Sequence, residues 1–245
     1  IILGLKIKLN TPLAEKNDII FLPFDKYITW WVIKEGYYKH FILNELKSLN
    51  EEFIFIDIGA NVGLVSKQVK KLKGNLVDIY CYEPNYINFK CLGFNLNSHA
   101  KIFNFGLGDN DSEQKMFNFD ENHGKSSLIE NDKHDDFEIV KIKNINHILK
   151  NIIKTNTLNK KIVIKIDTEG YDEFLISLIN DDIINSISMI CFEYTSKRYD
   201  KVDEIKLKNN IMQFNIIKSQ INNNINIDEI INNKISKQTD IILKK

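Results

Sequence analysis

The sequence predicts an α/β fold with a doubly wound, mostly parallel sheet. Short apolar runs of strand length alternate with longer amphipathic segments, which is the pattern of strands connected by crossover helices. One run, residues 162–166, holds four β-branched residues in five and ends abruptly in acids, as a buried parallel strand does at its carboxyl end. Since no repeat and no Pro-, Gly- or Ser-rich linker divides the 245 residues, we expect a single domain.

The alternation also predicts the order of the elements. The predicted strands are residues 53–58, 77–82, 101–105, 162–166, 189–192, 214–218 and 240–243. The predicted helices are residues 63–72, 86–96, 145–153, 173–184 and 202–208. Residues 110–134 form a polar surface excursion, in which residues 116–119 alternate like an edge hairpin. This excursion interrupts the rhythm of strand and helix.

An aromatic segment precedes the predicted sheet. Residues 27–49 carry apolar and aromatic side chains at mostly helical spacing, among them Trp30, Trp31, Tyr37 and Tyr38. We therefore divide the chain into an N-terminal helical cap, residues 1–50, and a Rossmann-like core, residues 51–245. The aromatic side chains either pack on the sheet edge or form a lid that stacks on a sugar or a base.

Composition argues against several classes of partner. The 33 basic residues balance the 33 acidic ones, so no net charge favours a nucleic acid or an anionic membrane, and a small, weakly charged substrate fits better. Cys81, Cys91 and Cys191 lack metal-ligand spacing, which predicts buried thiols in a reducing compartment. No apolar run reaches the ~18 residues of a membrane span and no signal peptide is evident, so we expect a cytoplasmic location. A start at Ile1 suggests processing or excision from something longer.

A glycine-containing turn follows the first strand of the predicted core. It reads Asp57-Ile-Gly59-Ala-Asn61-Val-Gly63 and leads directly into a helix, whose free N–H groups favour a polar or anionic ligand. The next strand ends in Glu83, and an acid at that position can hold both hydroxyls of a ribose. Two consecutive strand ends therefore predict a nucleotide-type cofactor.

The spacing of the glycines discriminates between cofactors. A dinucleotide site requires G-x-G-x-x-G as the seat of the pyrophosphate, and this turn separates Gly59 from Gly63 by Ala-Asn-Val. Asp57 would repel a pyrophosphate, whereas it could accept hydrogen bonds from a cationic amino-acid group. This favours S-adenosylmethionine over NAD.

Three stretches together resemble the FkbM family of S-adenosylmethionine-dependent methyltransferases. They are the turn from Asp57 to Gly63, Glu83-Pro84, and Lys165-Ile-Asp167-Thr-Glu169-Gly170. The resemblance spans residues 53 to about 193, and it implies a Rossmann-like sheet of seven strands whose last strand is antiparallel. It also implies methylation of hydroxyl oxygens, often on sugars of surface polysaccharides or on secondary metabolites.

Two further sites follow from the resemblance. Asp109, after the third strand, stands where class I methyltransferases contact adenine and could accept from its amino group, or it could simply close a turn. Ser126 and Ser127 resemble a serine pair in the family's excursion that could face the ligand, although an exposed polar loop is the simpler and favoured explanation. The histidines show no ligand spacing, and most are expected to face solvent, while His123 or His134 could reach the acceptor.

The acids that follow the fourth and fifth predicted strands of the core are the candidate catalytic residues. Asp167 and Glu193 close adjacent parallel strands, so both would project into one crevice, with Glu169 and Asp172 nearby. One carboxylate could act as general base toward a hydroxyl, or Asp167 and Glu193 could hold a divalent metal ion that lowers the pKa of the hydroxyl. A structural alternative is that Asp167 and Glu169 cap the next helix.

These observations predict an S-adenosylmethionine-dependent O-methyltransferase that acts on a hydroxyl of a sugar, either nucleotide-linked or in a polysaccharide. The alternatives are an NAD-dependent oxidoreductase on a similar sheet and a non-catalytic relative that binds a partner. A sugar or other small-molecule substrate, with no nucleic acid, is the expected partner.

Overall fold

The computed structural model describes residues 40–118, 126–129, 136–195, 198–221, 225–232, 235 and 238–245, together with residue 34 and three short N-terminal strands. These strands are β1 (Ile2–Leu3), β2 (Ala14–Lys16) and β3 (Ile19–Phe21), and they pair antiparallel in the order β1-β2-β3. The helical cap predicted for residues 1–50 did not include them. Trp30, Trp31, Tyr37 and Tyr38 lie outside the described residues.

The described helices follow the predicted alternation with two exceptions, which are the division of residues 173–184 and a short helix at residues 227–231 that was not predicted. They are α1 (Ile42–Lys47), α2 (Leu64–Lys73), α3 (Tyr86–Leu96), α4 (Ile145–Thr155), α5 (Asp172–Leu178), α6 (Asp181–Ile184), α7 (Glu204–Ile211) and α8 (Ile227–Ile231). The single helix predicted for residues 173–184 is wrong, because the chain leaves the helical conformation at Ile179 and Asn180. The backbone N–H of Asn180 donates instead to the side chain of Asn146. No helix in the described ranges is both long and apolar enough to cross a membrane.

Two further sheets contain the remaining strands. Their strands are β4 (Phe53–Ile58), β5 (Val77–Tyr82), β6 (Lys101–Phe103), β7 (Gly106–Gly108), β8 (Ser112–Asn118), β9 (Asp136–Asn144), β10 (Lys161–Ile166), β11 (Met189–Tyr194), β12 (Ile216–Ser219) and β13 (Thr239–Lys244). Seven of them form the central sheet in the order β12-β13-β11-β10-β4-β5-β6. The final strand, β13, lies between β11 and β12 and runs antiparallel to both, whereas the pairs from β11 to β6 are parallel. This confirms the predicted Rossmann-like sheet.

The sheet is buried on both faces. Along β4, Ile54, Ile56 and Ile58 join one apolar cluster, while Phe53 and Phe55 join the cluster on the opposite face. Alternate side chains of a strand point to opposite faces, so a strand covered on both sides reads as the continuous apolar run seen in the sequence. The three cysteines are free and buried, as predicted.

The predicted surface excursion contributes a small sheet of its own. β8 pairs antiparallel with β9, and β7 pairs parallel with β9 on its other edge. An edge hairpin was predicted at residues 116–119, where β8 provides one strand, whereas its partner β9 was not predicted, because Ile139 and Val140 interrupt the alternation of polar and apolar residues. Met116, Val140 and Ile142 form its apolar face and pack with Leu128. This face closes one side of the crevice described below.

Candidate functional site

The turn after β4 packs closely against the backbone at the end of β10. Gly59 has φ +73°, and a Cβ atom on it would lie 2.0 Å from the carbonyl oxygen of Asp167. The N–H groups of Gly59 and Ala60 both donate to the carbonyl of Tyr82, at 3.0 and 3.1 Å. Asn61 has φ +52°, a left-handed conformation that asparagine adopts more readily than most residues. Only glycine therefore fits at position 59, because both the backbone angle and the space require it.

Glu83 connects this turn to the start of α3. One oxygen of its carboxylate accepts from the N–H of Asn61 at 2.7 Å, and the other accepts from the N–H of Asn85 at 2.9 Å. Burial raises the pKa of Glu83 to about 7, although the two backbone donors and Lys165 oppose the rise. Each oxygen of a carboxylate has a second acceptor position, so Glu83 can still receive two hydroxyl donors from a ligand.

A crevice joins the turn, Glu83 and the acids after β10. It is lined by five of the predicted site residues: Gly59, Asn61, Glu83, Asp167 and Glu169. Its remaining wall is mainly apolar and is supplied by Leu107, Met116, Leu128 and Tyr171 among others. A flat apolar ligand segment and a polar one can therefore be held side by side, as a nucleoside requires.

Asp57 has a different place from the one predicted. It is fully buried, its Oδ2 accepts from the hydroxyl of Ser66 at 2.6 Å, and its Oδ1 accepts from Nζ of Lys165 at 3.0 Å. Cross-strand register explains the second bond, because Asp57 on β4 lies directly opposite Lys165 on β10. Both carboxylate oxygens of Asp57 therefore have partners within the protein, and its contact with a ligand's cationic group stays a prediction.

Gly63 and Asp109 also lie away from the crevice lining. Gly63 precedes α2 with φ +84°, and a Cβ atom there would lie 2.7 Å from Cδ1 of Leu92, so this glycine allows α2 to approach α3 closely. Asp109 is exposed, and its carbonyl accepts from the side-chain amide of Asn144. The contact between Asp109 and adenine stays a prediction.

The acids after β10 and β11 divide into structural and exposed groups. Asp172 is buried, and its carboxylate accepts from the N–H and the hydroxyl of Thr168 and from the N–H of Glu193, the last at 2.9 Å. Asp172 thus connects the loop after β10 to β11. A structural role of this kind was the alternative for its neighbours Asp167 and Glu169. Asp167 retains 32% of its side-chain exposure and lies 3.3 Å from Nζ of Lys165. Asp167 and Glu169, which both line the crevice, are therefore the carboxylates of this group that a ligand there can reach.

Glu193 has the properties of a protonated acid. Burial, followed by the negative charges of Asp167 and Asp172, raises its pKa to about 8. Its Oε2 is buried and has no hydrogen-bond partner among the described residues. The protonated form of Glu193 is therefore favoured near neutral pH, and a catalytic role for it stays a prediction. Within the described ranges, no three His, Cys, Asp or Glu side chains are arranged to hold a metal ion, so the predicted pair Asp167 and Glu193 gains no third ligand.

The serine pair of the excursion is buried, so the expectation of an exposed loop is wrong. The hydroxyl of Ser127 donates to the carbonyl of Glu169 at 3.0 Å and accepts from the N–H of Ile129 at 3.1 Å. Ser126 lines the crevice. Glu169 itself has φ +55°, so these contacts hold an uncommon backbone conformation at the crevice rim.

Two expectations about histidines have different outcomes. His99 and His147 are exposed, as expected for most of the histidines, whereas His40 is buried, and burial followed by the positive charge of Lys165 lowers its pKa to about 4. His123 and His134, which were predicted as possible acceptor contacts, lie outside the described residues.

Stability is expected to fall as the pH rises from about 5 to about 8. Burial raises the pKa of both Glu83 and Asp172 to about 7, so the folded protein keeps protons that the unfolded chain has already released. The stabilisation is complete below the unfolded pKa values and is lost as the pH passes the folded ones. We expect the free energy of unfolding to be lower by about 2 kcal/mol or more at the higher pH.

Urea unfolding at the two pH values measures this difference. The matched variant Asp172→Asn cannot release a proton at this position and should reduce the difference. A wild-type protein that is more stable at the higher pH would contradict the assignment.

Solved structures with a similar fold are distant in sequence. M. capricolum TrmK, in complex with S-adenosyl-homocysteine, is 13% identical, with 84% of this chain and 69% of that chain covered and a TM-score of 0.36. A TehB-like SAM-dependent methyltransferase from Corynebacterium glutamicum is 9% identical, with 91% and 97% covered and a TM-score of 0.43. Fibrillarin from Methanococcus jannaschii is 9% identical, with 99% and 86% covered and a TM-score of 0.41. Likenesses this distant carry no information about substrate.

The family comparison is specific. A search of curated proteins finds no significant match. The profile of the methyltransferase FkbM domain, in contrast, matches residues 57–217, which is more than half of the chain. The matched region begins at the end of β4, includes the loop after β10, and ends in β12. The chain therefore belongs to the FkbM family of S-adenosylmethionine-dependent methyltransferases.

Proposed function

We propose that the protein transfers a methyl group from S-adenosylmethionine to a hydroxyl oxygen of a sugar, either nucleotide-linked or part of a polysaccharide. The observation that supports it most is the shared crevice, which joins Gly59, Asn61 and Glu83 to the reachable carboxylate of Asp167. A cofactor held by the first group would direct its reactive end toward the second. The acceptor class itself rests on the resemblance of these motifs to the family's sugar-modifying members.

The residues around the turn fit the cofactor. Gly59 and Asn61 line the crevice, and Glu83 keeps one acceptor position on each oxygen for two ribose hydroxyls. The apolar wall formed by Leu107, Met116 and Leu128 suits a purine ring. When bound, S-adenosylmethionine supplies an electrophilic methyl group on a sulfonium ion.

Asp167 is the proposed general base. It would accept the proton of the acceptor hydroxyl while that oxygen forms its new bond to carbon. Its Oδ2 forms an ion pair with the ammonium of Lys165, 3.3 Å away. Glu169 lines the same crevice and is proposed to orient the acceptor through hydrogen bonds to its other hydroxyls.

A screen for labelled-methyl transfer tests the proposed function. Nucleotide-activated sugars and oligosaccharides are incubated with methyl-labelled S-adenosylmethionine, with and without a chelator. We expect a base-stable methyl ether and an unchanged rate in the chelator, because the proposed base needs no metal. Loss of the rate in the chelator would favour the metal mechanism instead.

The screen, together with binding measured by calorimetry, separates the rival functions. Binding of S-adenosylhomocysteine without transfer to any acceptor would favour a non-catalytic binding module. Calorimetric binding of NADH, and not of S-adenosylhomocysteine, would favour the oxidoreductase. Methyl transfer to a nitrogen or to a carboxylate would leave the assignment of the cofactor intact. It would refute the assignment of a hydroxyl as the acceptor.

Glu83→Gln is expected to weaken S-adenosylhomocysteine binding by about tenfold or more, because a hydrogen bond to a charged group exceeds one to a neutral amide. The amide also has only one acceptor oxygen, whereas Glu83 uses both of its oxygens for Asn61 and Asn85. Calorimetry measures the affinity. The nearby surface variant Glu113→Gln serves as the control, and equal affinities in all three proteins would remove Glu83 from the cofactor site.

A further inference from the structure

Lys165 is a buried cation that joins the two halves of the crevice. Its Nζ lies 3.0 Å from Oδ1 of Asp57, 3.1 Å from the carbonyl oxygen of Gly59 and 3.3 Å from Oδ2 of Asp167. An ammonium group has three N–H donors, and these three oxygens account for all of them. The first oxygen belongs to the end of β4, the second belongs to the turn that follows it, and the third belongs to the candidate general base.

We propose that Lys165 is a positioning residue, which fixes the turn at Gly59 and the carboxylate of Asp167 relative to each other. The proposal deepens the proposed function and rests on it for the role of Asp167. It concerns the geometry of the crevice, because Lys165 is not part of the crevice lining.

The strand geometry explains why a lysine can do this. Residues two apart on a strand share a face, so Lys165 and Asp167 project to the same side of β10. Register places Lys165 opposite Asp57 on the neighbouring strand β4. The lysine is 2% exposed, so water does not compete for its donors. Its three bonds are therefore strong and directional in this environment.

The second oxygen of Asp57 extends the network into α2. Ser66, in the first turn of α2, donates its hydroxyl to Oδ2 of Asp57 at 2.6 Å. The turn is thus held on one side by Ser66 and on the other by Lys165. Removal of the ammonium would free the carbonyl of Gly59 and the carboxylate of Asp167 together, while the bond from Ser66 would persist.

The charges around Lys165 favour its ionised form. Burial alone would lower its pKa, but the carboxylates of Asp57 and Asp167 outweigh burial and hold it above the ordinary value for lysine. The pKa of His40 is lowered by burial and then by the positive charge of Lys165. The ammonium is therefore a permanent feature of the site at neutral pH.

A simpler role for Lys165 would be to neutralise Asp57, and a pair of variants separates the two roles. Lys165→Met alone would leave a buried carboxylate without a counter-ion and could prevent folding. Asp57→Asn removes that charge and serves as the reference protein. The double variant Asp57→Asn/Lys165→Met differs from the reference only in the ammonium.

Three measurements on the reference and the double variant test the proposal: crystal structures, S-adenosylhomocysteine affinity by calorimetry, and kcat and KM with an acceptor from the screen. We expect the Asp167 side chain and the Gly59 carbonyl to shift in the double variant. We also expect the affinity to fall by about tenfold or more, since lost charge-assisted hydrogen bonds typically have effects of this size. We expect kcat to fall as well.

Superimposable crevices with equal affinity in the two proteins would overturn the proposal and leave Lys165 as a counter-ion only. A shifted crevice in a protein that binds no S-adenosylhomocysteine even as wild type would support the positioning role and refute the proposed function. The two failures are therefore distinguishable.

Discussion

Replacement of Asp167 by asparagine is expected to reduce kcat by about a thousandfold, because a positioned general base typically contributes between about a hundredfold and ten-thousandfold. Asparagine has nearly the same shape as aspartate. It keeps an oxygen that can accept a hydrogen bond from Lys165, whose Nζ lies 3.3 Å from the wild-type carboxylate. It also keeps the backbone carbonyl against which Gly59 packs. The affinity for S-adenosylhomocysteine should therefore stay within about twofold of wild type, so that the loss lies in the chemical step.

Two matched variants test whether Asp167 is the base. Glu193→Gln resembles the protonated acid that a pKa of about 8 predicts at neutral pH, so it should lose less than about tenfold in kcat. Glu169→Gln retains hydrogen-bonding groups at the crevice and should mainly raise KM for the acceptor. Steady-state kinetics at saturating cofactor measures both parameters. A severe loss in Glu193→Gln with near-normal turnover in Asp167→Asn would transfer the role of base to Glu193.

Much of the fold was predictable because it depends on local patterns. The buried strand at residues 162–166 and the final strand at 240–243 appear in their predicted places, as β10 and β13. Elements whose signal is weak or tertiary were missed. β9 has four charged residues in nine and owes its stability to pairing with β8, and the break at Asn180 depends on a bond from a residue more than thirty positions away.

The site was predictable in its outline and less so in the roles of its residues. Strand ends meet at one edge of a parallel sheet, which is why Gly59, Glu83 and Asp167 share a crevice as expected. No local pattern shows that Asp57 lies opposite Lys165 on the neighbouring strand, since that contact depends on the register of β4 and β10. The contact of Ser127 with Glu169 likewise depends on how the excursion folds back over the sheet.

Gly59→Ala is expected to abolish detectable binding of S-adenosylhomocysteine and to lower the free energy of unfolding by about 3 kcal/mol or more. The new methyl group would lie 2.0 Å from the carbonyl oxygen of Asp167, a backbone atom that can move only if β10 or the turn moves. Either movement would separate Asn61 from Glu83, whose hydrogen bond of 2.7 Å shapes the cofactor side of the crevice. Calorimetry and urea unfolding measure the two effects.

Two other glycines separate the clash from the strain of a positive φ. Gly74 has φ +55° and ψ −120°, but a Cβ atom there meets nothing within 4 Å, so Gly74→Ala should cost only the backbone strain, about 1–3 kcal/mol, with normal cofactor binding. Gly63→Ala would meet the end of the flexible Leu92 side chain at 2.7 Å, and its effect should be intermediate. Equal losses in all three variants would show that strain alone sets the cost. A loss of binding confined to Gly59→Ala would show that the contact between the turn and Asp167 determines the shape of the cofactor site.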